Sequence, residues 1–395
     1  MHAERSDRRG GVTDWRHLFM IEGMRIAAAA LALGLVAAPT TPLAAPPDPA
    51  ASAPDLAAAV RARVPGGEVT IARSNVEWGF GTAVRMVAGE EYPDGWLFVA
   101  HREQGRWRVA LEGEPQFATL SGDATILSGD ERRTLGDRTE GTDRRTGMRL
   151  PFAIGQTWRY TGGPHPMSGG ARSSIDLAGG DGRVLAARGG LAYTMCRSGK
   201  GWVRVVHDRG LATDYYHLEG NIRPNGTRVA EGAFLGNIGN DVSCGGRSSG
   251  KHVHFSLRRD GQYVEIDRHA FGKWVIIDTG RAYSGAARHG SEQVAVGGSL
   301  RNYGALGLTQ GIVDTDGGST LNRRAGPGIA YAVAGTVADG DTVTIACSAR
   351  GTTHTGRDGY TSDLWNKLTD GSWVSDVYVW TGTGDPVNGF CTKHG

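Results

Sequence analysis

A chain of 395 residues and 41.8 kDa exceeds what a single hydrophobic core usually organises, so two or three domains are expected. Its 43 basic and 41 acidic side chains leave a formal charge of only +2, which argues against a nucleic-acid or anionic-membrane partner held by a strong field. The 62 glycines, more than twice the usual share of about 7%, fall between short β-type runs without a collagen-like period and point to turn-rich β architecture.

Residues 1–23 are charged and patternless, whereas MRIAAAALALGLVAAPTTPLAAPP carries one arginine, an apolar run from Ile26 to Ala38, and small residues around Ala44 and Ala45. That is a secretory signal pattern, and its apolar run falls short of the roughly 20 residues a bilayer span needs. Translation is expected to begin at Met24, making 1–23 a non-native extension, 24–45 a signal peptide and the Pro/Ala/Ser-rich 46–54 a flexible linker. No later segment reaches transmembrane length, so a soluble exported protein is expected, taken to be a monomer. DLAAAVRARV predicts a short helix, and EVTIARSNVEWGFGTAVRMV and GWLFVAHREQGRWRVALEG alternate apolar with polar residues. Residues 55–128 are therefore expected as a small α+β domain, a pro-region or spacer without a catalytic constellation. His101 stands alone on one of its strands.

The charged segment 129–149 is expected as a linker, with a short helix running into the connection. Short strands separated by glycine turns occupy 150–283, a glycine- and serine-containing connector 284–307, and a second run of short strands, read as a compact β-barrel, 308–395. The four cysteines show no CxxC spacing, which removes a cysteine-based zinc site. An exported chain favours two disulfides over four free buried thiols. Of three possible connectivities, the domain division favours Cys196 with Cys244 and Cys347 with Cys391.

Chemistry concentrates in 150–283. In KHVHFSL, strand alternation puts His252, His254 and Ser256 on one face and Val253, Phe255 and Leu257 on the other, towards a core. Two imidazoles side by side on a polar face are placed to reach one metal ion or one water. Upstream, GGRSSGKH satisfies the first part of a phosphate-binding loop. His252 replaces its Ser or Thr, however, and a strand follows where a helix must begin, which removes nucleotide binding. A cupin-type site expects an acidic ligand about four residues beyond the pair, where Arg258 stands. A catalytic zinc takes three protein ligands and keeps one open position. Further ligand types are supplied by His165 in GGPHP, by Asp176 in SSIDL, where Ile175 and Leu177 face inward, and by His217 in LATDYYHL, on the strand face of Tyr215. Residue chemistry alone leaves open which histidine of the His252/His254 pair is a ligand.

The ordered set GGPHP…SSIDL, VVHDRGLATDYYHL and GKHVHFSL resembles the lysostaphin and β-lytic type zinc endopeptidases, exported hydrolases of bacterial peptidoglycan, over about a third of the chain. The resemblance implies a mainly β fold with an antiparallel zinc peptidase domain. It implies one Zn²⁺ bound by His165, Asp176 and His254, with His217 and His252 as the catalytic pair beside the water and Tyr283 near the reacting carbonyl. A disulfide tethering the Cys244 loop is likewise similar to the β-lytic branch. Residues 308–395 resemble bacterial SH3-like wall-binding modules, the carrying residues including Trp365, Trp373, Tyr378 and Trp380. In so small a barrel at least half of these aromatics are expected in the core. The expected partner is bacterial peptidoglycan and the expected location extracellular, at the cell wall. The glycine-rich loops flanking the site would admit glycine-rich chains or merely serve turns. The rival function, a non-enzymatic wall-binding or hydrolase-activating scaffold, would lack part of the ligand set that is complete here.

Overall fold

A computed structural model describes residues 49–138, 143–356 and 359–392, apart from the side chains of 49–54. The expected leader and start site lie outside the described residues, whereas residues 49–54 of the expected linker belong to the first helix. No helix among the described residues is long and apolar enough to cross a membrane.

The chain is mainly β. Helix α1 (Pro49–Arg63) precedes a four-stranded antiparallel meander of β1 (Glu68–Ser74), β2 (Trp78–Met86), β3 (Pro93–Glu103) and β4 (Arg106–Leu111). Period-two alternation gives this sheet two apolar faces. Ala83, Phe98 and Ala100 meet Leu56 and Val60 of α1 and Val64 just after it, while Phe80, Val84, Leu97 and Val99 point to the opposite side.

That second face is not a solvent surface, because it packs on the large antiparallel sheet that follows. This sheet contains β5 (Thr157–His165), β6 (Ser174–Gly179), β8 (Gly190–Thr194), β9 (Gly201–Val206), β10 (Leu211–Leu218), β11 (Asn225–Val229) and β13 (Val253–Arg259). They lie in the order β11-β8-β9-β10-β13-β6-β5 with Ser299–Arg301 at the edge, while β7 (Arg183–Leu185) and β12 (Phe234–Asn237) form a separate ribbon. One face of the large sheet sends Ile175, Leu177, Val203, Val205, Tyr215, Val253, Phe255 and Leu257 into the main core. The other sends Leu191, Tyr193, Trp202, Ala212 and Tyr216 into a core shared with the N-terminal meander.

The charged segment holds the short helix expected of it, and the expected 284–307 linker is built of strands. Within 129–149, helix α3 (Gly129–Gly136) is closed at its start by a capping box between Ser128 and Glu131. Glu131, 2% exposed, also accepts from Arg73 Nη1 at 2.8 Å and from the Tyr193 hydroxyl at 3.2 Å, fastening the helix to both sheets. Within 284–307, Ala286–His289 and Glu292–Ala295 join the small sheet of Ala270–Phe271 and Trp274–Ile277, and Ser299–Arg301 pairs with β5. These strands of three or four residues have too few alternating positions to stand out from a loop in sequence.

The C-terminal segment forms a curled seven-stranded sheet, compatible with a small barrel, around Val313, Val343, Ile345, Leu368, Val374 and Val379. Trp365 is buried there, whereas Trp373, Tyr378 and Trp380 are partly exposed. Cys196 is bonded to Cys244 and Cys347 to Cys391.

Candidate metal centre

The site lies on the face of the large sheet that the N-terminal meander covers. On β6 and β13 the alternation is regular, and Asp176 stands directly opposite His254 while Ile175 opposes Phe255 in the core. His252 enters just ahead of β13, bridged to Gly239. β5 reaches the site differently. Its register slips twice, between Tyr160 and Gly162 and between Gly162 and His165, which delivers His165 at the strand end. Gly162 must lack a side chain, since a Cβ there would lie 2.4 Å from Asp176 Oδ2.

His217 departs from expectation. Regular alternation would place it with Tyr215, on the core face opposite His254. Tyr215 pairs with Phe255 and Tyr216 with His254, but the ladder to β9 slips between Tyr215 and Leu218, and His217 takes φ +66°. The bulge keeps His217 on the site side beside Tyr216, with ring centroids 4.4 Å apart. Its ring lies 4.8 Å from that of His252 and 6.0 Å from that of His254.

His165 Nε2, Asp176 Oδ1 and His254 Nδ1 form a triangle with sides of 3.0, 3.3 and 3.5 Å. Ligand atoms on a tetrahedral ion with bonds of about 2.1 Å are separated by about 3.4 Å, so this donor set fits a small divalent cation such as zinc. These three residues form a potential metal-holding group among the described residues. His252 Nε2 comes within 3.5 Å of Asp176 Oδ1 as well.

Backbone carbonyls set the imidazole tautomers. The Nδ1–H groups of His165, His217 and His252 donate to the carbonyls of Gly163 (2.7 Å), Asp241 (2.9 Å) and Gly250 (2.6 Å). Each Nε2 is thereby left with a free lone pair. Asp176 Oδ1 and the Nε2 atoms of His217, His252 and His254 are buried without a hydrogen-bond partner among the described residues. So many orphaned polar atoms in one place are costly unless a cation or water satisfies them. Burial lowers the pKa of His165 to about 4 and those of His217 and His254 to about 3, leaving all three rings neutral at pH 7.

Tyr283 also reaches the site. Its ring stacks on His165 at 4.0 Å, with φ +65°. Its hydroxyl donates to Glu91 Oε2 at 2.6 Å and lies 3.1 Å from the hydroxyl of Tyr92. Glu91 also accepts from Arg247 Nε at 2.9 Å. The Tyr92 ring lies 4.3, 5.7 and 6.1 Å from the rings of His254, His217 and His165. The N-terminal segment, expected to hold no site residue, thus places Glu91 and Tyr92 in the centre. No spacing in EEYPDG announces a contact made about 160 residues away in sequence. The loop glycines serve close packing here: a Cβ at Gly245 would lie 2.5 Å from Met86 Sδ, and one at Gly246 would lie 3.1 Å from the Glu91 carbonyl.

Residues 170–266 match the family described as Peptidase family M23. The chain is similar to Protease LasA of Pseudomonas aeruginosa, with 34% identity over 141 residues, 33% of each chain. It is similar to the β-lytic metalloendopeptidase of Lysobacter enzymogenes, with 31% identity over 150 residues, 34% of this chain and 82% of that one. The solved structure of pseudoalterin, an M23 metalloprotease from the deep sea, is 31% identical. It covers 39% of this chain and 97% of its own, with a TM-score of 0.36. The matched region spans about a third of the length of LasA.

Proposed function

Because the chain belongs to peptidase family M23, we propose that it is a secreted zinc metalloendopeptidase that hydrolyses peptide bonds of bacterial peptidoglycan. The observation that carries this reading is the donor triangle of His165, Asp176 and His254 with unpartnered buried nitrogens of His217 and His252 beside it. One carboxylate and two neutral imidazoles would hold the zinc, which when bound supplies Lewis acidity that makes water a competent nucleophile near pH 7.

The chain's own side chains do the rest. His217 and His252, each fixed by a backbone carbonyl, present a lone pair that accepts the proton of the attacking water and returns it to the leaving amine. Tyr283, stacked on His165, is placed to donate its hydroxyl to the carbonyl oxygen as negative charge develops, once released from Glu91. Both disulfides accord with an extracellular location. We take residues 308–395 as the wall-tethering part, which raises the effective concentration of the peptidase at an insoluble substrate. The complete ligand set speaks against a purely scaffolding role.

The test combines clearance of purified cell walls by the full chain with zinc content by elemental analysis. His254→Ala is expected to lose zinc and clearance together, and His252→Ala to keep zinc while losing clearance. Clearance that survives a chelator would overturn the reading.

A further inference from the structure

The metal centre is closed to a polypeptide. His165, His217 and His254 are fully buried, His252 and Asp176 are 8% exposed, and the ring that covers them belongs to Tyr92, itself 4% exposed. Tyr92 ends the loop between β2 and β3, residues 87–92. The loop tip at Ala88 and Gly89 is exposed, and nothing stands within 4 Å of a Cβ built on Gly89. The Glu90 N–H to Val87 carbonyl bond closes its turn. Its polar ties to the far side run from Glu91, whose side chain is 31% exposed, to Tyr283 and to Arg247, whose side chain is 78% exposed, and from the Tyr92 hydroxyl to that of Tyr283 at 3.1 Å. Contacts this wet are easily exchanged for water.

The strands on either side of the loop are held quite differently. Arg204 of β9, fully buried, donates to Asp214 of β10 at 2.7 and 2.9 Å, to the Gly95 carbonyl of β3 at 3.1 Å, and to Glu112 just after β4. Thr82 of β2 donates to the Met195 carbonyl at 3.0 Å, and Trp78, Phe80, Leu97 and Val99 share one core with Leu191, Met195 and Trp202. Removing the whole meander would expose that core and strand the Arg204 charge network. Moving the loop alone leaves the Arg204 network in place and withdraws only Tyr92 from that core.

We propose that residues 87–92 are an intrinsic gate. Glu91 latches it to Tyr283 and Arg247, and it opens by the loop swinging away while β1–β4 stay docked, so that access needs no release of the N-terminal segment. The proposal rests on the metallopeptidase reading above. Opening frees the Tyr283 hydroxyl and the Arg247 guanidinium at the mouth of the site and lifts the Tyr92 ring off the imidazoles.

The test uses the zinc-loaded full chain and follows zinc transfer to a chromophoric chelator, with hydrogen exchange of the strand amides in parallel. Tyr92→Ala, which removes the covering ring, is expected to speed transfer about tenfold or more, and Glu91→Gln, which weakens exposed charge-assisted contacts, about three- to fivefold. Protection of Leu97 and Val99 should remain that of the parent chain. Transfer within twofold of the parent for both variants overturns the gate, and so does acceleration accompanied by lost protection across β2 and β3, which would mean release of the whole meander. A chain that takes up no zinc overturns the metallopeptidase reading and the gate with it. Uptake with unchanged rates overturns the gate alone.

Discussion

Burial at His207 shows what the same environment does to a histidine with no part in the metal centre. Its ring is fully buried, Nδ1–H donates to the Gly189 carbonyl at 2.9 Å, and Nε2 lies 2.9 Å from the Thr213 hydroxyl, which itself donates to the Tyr215 hydroxyl. Burial disfavours the charged imidazolium, and this desolvation lowers the pKa to about 4. Below the ordinary value near 6.5 the unfolded chain binds this proton and the folded chain does not. Its contribution is therefore complete above pH 6.5 and is lost as pH falls through about 4, for a total of roughly 3 kcal/mol. Urea unfolding of the metal-free chain at pH 7 and pH 4.5 should show this loss, and His207→Gln, an uncharged replacement, should reduce the pH dependence by that amount, the remainder belonging to His165, His217 and His254. An unchanged slope in that variant would assign the acid sensitivity to other groups. At His165 and His254 the same lowering leaves neutral rings, which metal ligation requires.

Within elements, the centre depends on two departures from regular strand geometry, in β5 and β10, as much as on the regular pairing of β6 with β13. Gly162→Ala tests the first. The added methyl meets Asp176 Oδ2 at 2.4 Å and Cγ at 3.0 Å, so the carboxylate must move out of its triangle with His165 and His254. The expected result is zinc affinity lowered roughly 10–100-fold, the range for disturbed support of a ligand. Far-UV circular dichroism should be unchanged, because Gly162 lies in extended backbone that alanine tolerates; unchanged affinity would show that Asp176 has room to yield. The regular strands are also what the sequence makes legible. HVHFSL and SSIDL alternate cleanly, so the faces of His252, His254 and Asp176 follow from period two alone. His217 does not follow, because one residue in the left-handed region inverts the face and YYHL contains no glycine to announce it. Glu91 and Tyr92 are illegible for a different reason: the contact that gives them a role joins two sheets, and local pattern carries no information about it.

Across the whole molecule, Arg204 decides whether the N-terminal meander is an attachment or a constituent. Asp214 is fully buried, and burial alone would raise its carboxyl, but the adjacent guanidinium outweighs this and holds it below the ordinary carboxylate range. Trp202 Nε1 and the Tyr263 hydroxyl donate to the same carboxylate at 2.8 and 3.0 Å, and Glu112 brings the second negative charge from the meander. Replacing Arg204 with methionine keeps much of the volume but leaves two buried carboxylates with only Arg258, 3.8 Å from Glu112, as a neighbouring cation. Breaking a buried charge network from one side costs about 3–5 kcal/mol. Because the network and the shared core link both sheets, Arg204→Met should lower the urea midpoint of the entire β1–β13 region in a single transition, followed in parallel by tryptophan fluorescence and by hydrogen exchange at Val99 and Val203. A separate early transition confined to β1–β4 would instead mean that the meander folds on its own and rests on the peptidase sheet as a detachable cover. The gate would then have to be sought in the motion of the meander rather than in the loop that carries Tyr92.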